Sequence, residues 1–296
     1  MPETWTRRRF FLAGALPLAS RSALAQGSTF ARKLAGIEGA IAGRLGVAVR
    51  EIGTGRHYGY RADERFPLCS TFKVLACAAV LKRVDGGQED LNRRIRFGPG
   101  DLVTYSPVTK DHVGGDGMTL GALCTAAMTQ SDNTAGNLIL ASLGGPGAVT
   151  AFARSIGDQV TRLDRTEPDL NTAIPGDPHD TTTPGAMAAD LGRLVTEGCL
   201  SRNSRHQLVT WLISNQTGGA KLRAGVPAGW RVGDKTGGGA WGTTNDVAVI
   251  WPPPRDPFVV CVYLTETKAS FDARNATIAA VGRAVAEAGF NGPFPG

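Results

Sequence analysis

Apolar residues recur at helical spacing behind Ser28, where Phe30, Leu34, Ile37 and Ile41 share one face, which predicts an amphipathic helix over about residues 28 to 43. Two short strand-like runs follow, Val47-Ala48-Val49 and His57-Tyr58-Gly59-Tyr60, on either side of the turn formers Gly53-Thr54-Gly55, as in a hairpin. From Phe66 to about residue 212 the period is helical and strand signals vanish; Pro146 and Pro184 suit first helical turns, and Thr183 and Ser201 suit helix caps. Strand patterns return at Trp230 to Thr236, Asp246 to Trp251 and Phe258 to Leu264, with Pro252-Pro253-Pro254 and Asp256-Pro257 marking the turn between the last two. A closing helix is predicted from about Asp272 to Ala288, with Ile278, Val281 and Val285 on one face and Gly289 as its stop.

One stretch breaks the helical region. Between Arg162 and Asp180 lie prolines, turn formers and charges with no periodicity, and loops this long in compact domains are usually functional or disordered. Arg162 or Arg165 at one end can pair with Asp177 or Asp180 at the other, which favours an ordered, closed omega loop. Hairpins at both ends of the chain with helices between predict an α/β (α+β) fold: an antiparallel five-stranded sheet flanked by helices, with an all-helical domain inserted. The expected division is residues 26–62 with 213–296 for the sheet domain and 63–212 for the helical one, the loop 162–180 lying in the latter.

Charge and cysteine content narrow the class. The chain of 296 residues carries a net charge of +6, but residues 1–25 hold Arg7, Arg8, Arg9 and Arg21 against Glu3, and outside them no basic cluster remains to bind nucleic acid. In that leader the arginines precede a short apolar run, Phe10 to Leu18, too short to span a bilayer, and Ala23-Leu24-Ala25 offers a cleavage site. It resembles a twin-arginine export signal, so a periplasmic or secreted protein, exported already folded, is the expectation, soluble and monomeric rather than membrane-bound. Five cysteines (Cys69, Cys77, Cys124, Cys199, Cys261) and four scattered histidines show no metal-ligand spacing, so no metal or other cofactor is expected.

The candidate chemistry begins at Ser70-Thr71-Phe72-Lys73, which opens an apolar run. On a helix, a serine and a lysine three positions apart share a face near the positive end of the helix dipole, where an attacking alkoxide is stabilised. Serine before an apolar run is more often a simple cap. Two further stretches shift the balance: Ser131-Asp132-Asn133 between helical runs, and Lys235-Thr236-Gly237 at a strand end, a cation, a hydroxyl and a backbone left bare for close approach. Each is weak alone. Together and in this order they form a recognised set of serine acyl-transfer enzymes.

With Glu167-Pro168-Asp169-Leu170-Asn171 in the long loop, the sequence resembles the class A serine β-lactamases over essentially the whole chain after the leader, Tyr105-Ser106-Pro107-Val108 included. The resemblance implies hydrolysis of the amide of β-lactam small molecules through an acyl-enzyme, with Ser70 as nucleophile, Lys73 as its partner and Ser131 as proton donor to the departing nitrogen. It implies that Glu167 and Asn171 hold the deacylating water, that Asn133 and Tyr105 contact the substrate, and that Lys235 and Thr236 receive its carboxylate, with Gly237 and Gly238 also in the substrate-binding site. The amides of Ser70 and Gly238 would form the oxyanion hole. Whether Lys73 or Glu167 is the acylation base stays open at this level.

The chain departs from its relatives in places. Thr244 stands where many members carry an arginine, and Lys221 falls where others place a substitute, an ordinary surface lysine being the alternative reading. Gly238 and Gly239 stand where carbapenem-hydrolysing members bridge a cysteine to the equivalent of Cys69, so that bridge cannot form. The resemblance also implies a Cys77–Cys124 disulfide. A D,D-peptidase or a non-deacylating sensor would use the same three boxes, but normally without the Glu167 loop.

Overall fold

The computed structural model describes residues 18–196 and 198–289, with side chains from Thr29 onward. The export leader expected over residues 1–25 therefore falls outside the described residues up to residue 17. Five strands, β1 (Arg44–Glu51), β2 (His57–Tyr60), β3 (Arg231–Gly238), β4 (Thr244–Trp251) and β5 (Phe258–Thr265), form one antiparallel sheet in the order β2-β1-β5-β4-β3. The two ends of the chain thus meet at its centre, where β1 pairs with β5 from Arg44↔Thr265 to Glu51↔Phe258. The period of two sorts its side chains between two cores. Val47, Val49, Val260, Val262 and Leu264 face the terminal helices α1 (Leu18–Ile41) and α8 (Phe271–Ala288), meeting Phe30, Leu34, Ile278 and Val281. Ala48, Val259, Cys261 and Tyr263 face the helical body.

That body is built on α2 (Phe72–Asp85), whose residues from Phe72 to Leu81 are all buried. A helix apolar all round is a central helix. It packs among α3 (Leu120–Thr129), α4 (Asn133–Leu143), α5 (Gly147–Ser155) and α7 (Arg202–Ile213), while α6 (Pro184–Val195) lies against β1 and β5. Thr183 and Ser201 cap α6 and α7 by accepting from the Ala186 and Ser204 amides. The helical region is not free of strands as its sequence pattern suggested. Phe66–Pro67 pairs with Thr181–Thr182 and Arg94–Ile95 with Met118–Thr119, ladders of two residues that are too short to leave a periodic signal.

The loop 162–180 is closed by Arg165, whose guanidinium reaches Asp177 at 3.1 Å and Asp180 at 2.5 Å. Arg162 pairs instead with its neighbour Asp164 at 2.6 Å. Asp180, 1% exposed, also accepts the Asp164 and Arg165 amides, so both ends of the loop converge on one carboxylate.

The expected Cys77–Cys124 disulfide is not present. Both residues are free thiols, and the buried Cys77 Sγ lies 4.0 Å from the Cys124 carbonyl oxygen. Contact with the Cys77 thiol and burial hold the Cys124 thiol well above its ordinary range, and a protonated thiol is a poor partner for exchange.

Candidate active site

Ser70 is presented by a strained backbone. Cys69 before it has φ 43°, a left-handed conformation that a side chain resists, and the 3₁₀ turn Cys69–Thr71 then leads into α2. Neither this turn nor α2 uses the Ser70 hydroxyl as a cap. The hydroxyl instead donates to Glu167 Oε1 at 3.1 Å and accepts from Lys73 Nζ at 2.9 Å.

Lys73 is fully buried, as a lysine rarely is, and its ammonium is correspondingly well partnered. It reaches the Ser131 carbonyl at 2.9 Å, Asn133 Oδ1 at 2.8 Å and Glu167 Oε1 at 3.0 Å. Gly136 on α4 makes room for it, since a Cβ there would stand 2.9 Å from Lys73 Cε. Removing either member of such a buried pair strands the other charge.

Glu167 is held at both ends. Its backbone N–H and carbonyl bond the Asn137 side chain, each at 2.8 Å, and its Oε2 accepts from Asn171 Nδ2. Asn171 Oδ1 is buried and has no partner among the described residues. An acceptor, a carboxylate and the Ser70 hydroxyl thus converge where a water could be bound and activated.

The opposite wall comes from the α3–α4 connection and β3. Ser131 has φ 60°, and Asp132 fixes that connection by capping α4 through the Ala135 amide while accepting the Val108 and Thr109 amides. Lys235 Nζ donates to Ser131 Oγ at 2.9 Å and to the Thr236 carbonyl at 2.8 Å. Burial, and then the nearby Lys73 charge, push Lys235 down to about 7 against the pull of Asp234, Glu167 and Asp246.

Ser70, Tyr105, Ser131, Asn133, Asn171, Lys221, Thr236, Gly237 and Gly238 line one cavity of about 340 Å³, behind which stand Lys73, Glu167 and Lys235. The structure therefore brings together all the site residues expected from sequence. Tyr105 is the most open of them, 58% exposed on the rim. Lys221 is not a surface lysine: it is 4% exposed, and its ammonium sits 5.2 Å from the centre of the Phe271 ring. Burial lowers its pKa, opposed by Asp246 and Asp234. Thr244 is buried at the start of β4, paired across from Gly238. A Cβ at Gly239 would lie 2.7 Å from Cys69 Sγ, so Gly239 is the position facing that thiol.

Sequence reasoning missed Asn137, Thr217 and Phe271. Asn137 lies one helical turn after Asn133 on α4, a spacing that could have found it. Thr217 and Phe271 enter the cavity from remote segments, Thr217 Oγ1 at 2.5 Å from Thr236 Oγ1. Asp246, beneath this end of the cavity, accepts the Leu222 amide at 3.1 Å. Burial, and then neighbouring Asp234, raise its pKa well above the ordinary carboxyl range.

The cavity therefore combines a serine hydroxyl in contact with a lysine and a glutamate and a cationic end able to take a carboxylate, and among the described residues no cluster of side chains suits a metal ion. Comparison with known proteins agrees. The model of the β-lactamase enzyme family matches residues 29–288. The β-lactamase CTX-M-25 of Escherichia coli is 51% identical over 272 residues, 92% of this chain and 93% of its own. The β-lactamase OXY-1 of Klebsiella oxytoca is 48% identical, covering 97% of this chain and 99% of its own. Among solved structures, an ancestral class A β-lactamase of Gram-negative bacteria superposes with a TM-score of 0.86 at 64% identity, over 88% of this chain and 99% of that one.

Proposed function

The chain belongs to the class A β-lactamase family, and on that premise we propose which residues carry its reaction. It hydrolyses the amide bond of the β-lactam ring through a serine acyl-enzyme, the activity that confers resistance to these antibiotics. One observation carries the assignment of residues: the Ser70 hydroxyl lies within hydrogen-bond reach of both Lys73 and Glu167, and Glu167 is in turn tied to Asn171.

The Ser70 hydroxyl already donates to Glu167 Oε1, so Glu167 is the immediate acceptor of its proton as the oxygen attacks the lactam carbonyl. The Lys73 ammonium, fixed by four oxygen atoms including that of Ser70, stabilises the alkoxide as it forms. The Ser70 and Gly238 amides serve the tetrahedral oxyanion. Ser131, bonded to Lys235, passes a proton to the departing nitrogen. Lys235, Thr236 and Gly237 take the substrate carboxylate, and Asn133 and Tyr105 flank the rest of the substrate. For deacylation, Glu167 takes a proton from water held with Asn171. A D,D-peptidase or a sensor that acylates and stops has no need of this second carboxylate beside the serine. Hydrolysis of benzylpenicillin and of a chromogenic cephalosporin by the purified protein tests the reading; binding without turnover would contradict it.

Lys221 is the second cation for the carboxylate in place of an arginine at Thr244. A hydrogen bond to a charged group is worth about 1.5–3 kcal/mol, so Lys221→Ala is expected to lower kcat/KM about tenfold or more. Unchanged kinetics on several penicillins would remove it from the site.

Lys235 sets an alkaline limb. Its proton leaves near pH 7 in the free enzyme, so kcat/KM, which reports free-enzyme groups, is expected to fall as pH rises through about 7. In Lys235→Arg the cation persists and the limb should move upward; a limb at the same pH in both proteins would assign it elsewhere.

Residues 1–25 are proposed as a twin-arginine export leader, delivering a monomer to the periplasm or medium. Arg7→Lys with Arg8→Lys should leave the uncleaved protein inside the cell. The segments 26–62 with 213–296, and 63–212, are proposed as its two domains, the site lying at their junction.

A further inference from the structure

Phe271 opens α8 behind its cap Ser270, yet its ring belongs to the cavity: it is 58% exposed and lines the wall beside Lys221, Thr217 and Thr236. An exposed phenylalanine at the first turn of a helix has nothing to gain from packing there, and the terminal-helix core is filled by other residues of α8. Its ring instead lies between two cations, the Lys221 ammonium 5.2 Å from the ring centre and the Arg274 guanidinium carbon 5.6 Å from it. Lys221 forms no ion pair among the described residues, although Asp246 and Asp234 act on it through space. The ring is therefore the one close partner seen for this ammonium within the cavity.

We propose that Phe271 is a specificity-determining residue, its ring both positioning the Lys221 ammonium for the substrate carboxylate and packing against the apolar substituent that flanks that carboxylate. The proposal rests on the β-lactamase reading of the cavity and adds a substrate preference to it. An aromatic face attracts a cation and offers apolar area together, so one ring serves both neighbouring groups of the substrate. The preferred substrates are those whose ring carboxylate stands next to a bulky apolar group, such as the gem-dimethyl carbon of penicillins. Substrates with a flat, unsubstituted carbon there gain only the positioning of Lys221. Neither contact involves the reacting atoms, so the effect falls on binding.

The test is steady-state kinetics of the full chain and its Phe271→Ala, Phe271→Leu and Phe271→Tyr variants, on a penicillin and on a cephalosporin lacking a substituent next to the carboxylate. Phe271→Ala is expected to raise KM for the penicillin about five- to tenfold, more than for the cephalosporin, with kcat within about twofold, the mark of lost uniform binding. Phe271→Tyr should restore the parental KM, and Phe271→Leu should recover the apolar part alone, remaining between the two. In a double-mutant cycle, Lys221→Ala and Phe271→Ala should be non-additive. Parental KM in Phe271→Ala, an equal rise for both substrates, or a loss confined to kcat would each overturn the proposal while the parent enzyme remained active. Failure of the parent to hydrolyse either substrate would instead overturn the β-lactamase reading.

Discussion

Glu167→Ala is expected to lower steady-state turnover of a penicillin by about 10² to 10⁴, the usual contribution of a positioned general base, while a rapid first turnover survives as a burst. The asymmetry comes from what remains beside Ser70. With the carboxylate gone, Lys73 loses the anion 3.0 Å away. Lys73 Nζ, still 2.9 Å from Ser70 Oγ, remains the basic residue able to assist the attack. Acylation then slows but continues. Deacylation has no substitute, because Asn171 alone can orient a water and cannot accept its proton.

Lys73→Met should fail at the other step. Methionine keeps the length of the side chain within α2 but removes the donor 2.9 Å from Ser70 Oγ, so acylation is expected to slow by about 10² to 10⁴ with no burst and no accumulated adduct. It also leaves Glu167 buried without its cation and Asn133 Oδ1 and the Ser131 carbonyl without this donor. Breaking one side of a buried pair costs about 3–5 kcal/mol, readable as a lower urea midpoint at unchanged m-value. Single-turnover stopped flow on the two variants separates the steps: a burst in Lys73→Met would reverse its assignment to acylation, and the burst rate in Glu167→Ala measures how much of the acylation step rests on Glu167.

The helix pattern was carried by elements such as α1 and α8 that bury one face and so write a helical period, whereas β1, β3, β4 and β5, largely buried on both faces, were read from apolar runs between turn formers. Both faces of β5 are covered, yet its continuous apolar run reads as a strand because prolines precede it and a polar segment follows. What lacked a period was missed: the two-residue ladders, the 3₁₀ turn that carries Ser70, and the pairing of Arg162 with Asp164. The three boxes and the Glu167 loop were legible because each groups, within a few residues, several of the side chains that the structure brings to one cavity. Phe271 and Thr217 contribute singly from segments distant in sequence, and Lys221 could not be told from a surface lysine until its burial was seen. The cysteine pair shows a different limit, since the resemblance implied a Cys77–Cys124 bridge and both thiols are free in the structure.

The most direct measurement is the intact mass of Glu167→Ala after mixing with benzylpenicillin, followed by peptide mapping of the adduct. A mass increase of one intact β-lactam, located on Ser70, persisting for minutes and absent from Ser70→Ala, is the predicted result. An adduct on another residue, or parental turnover with no adduct, would contradict the claim that Ser70 is acylated and Glu167 drives its release.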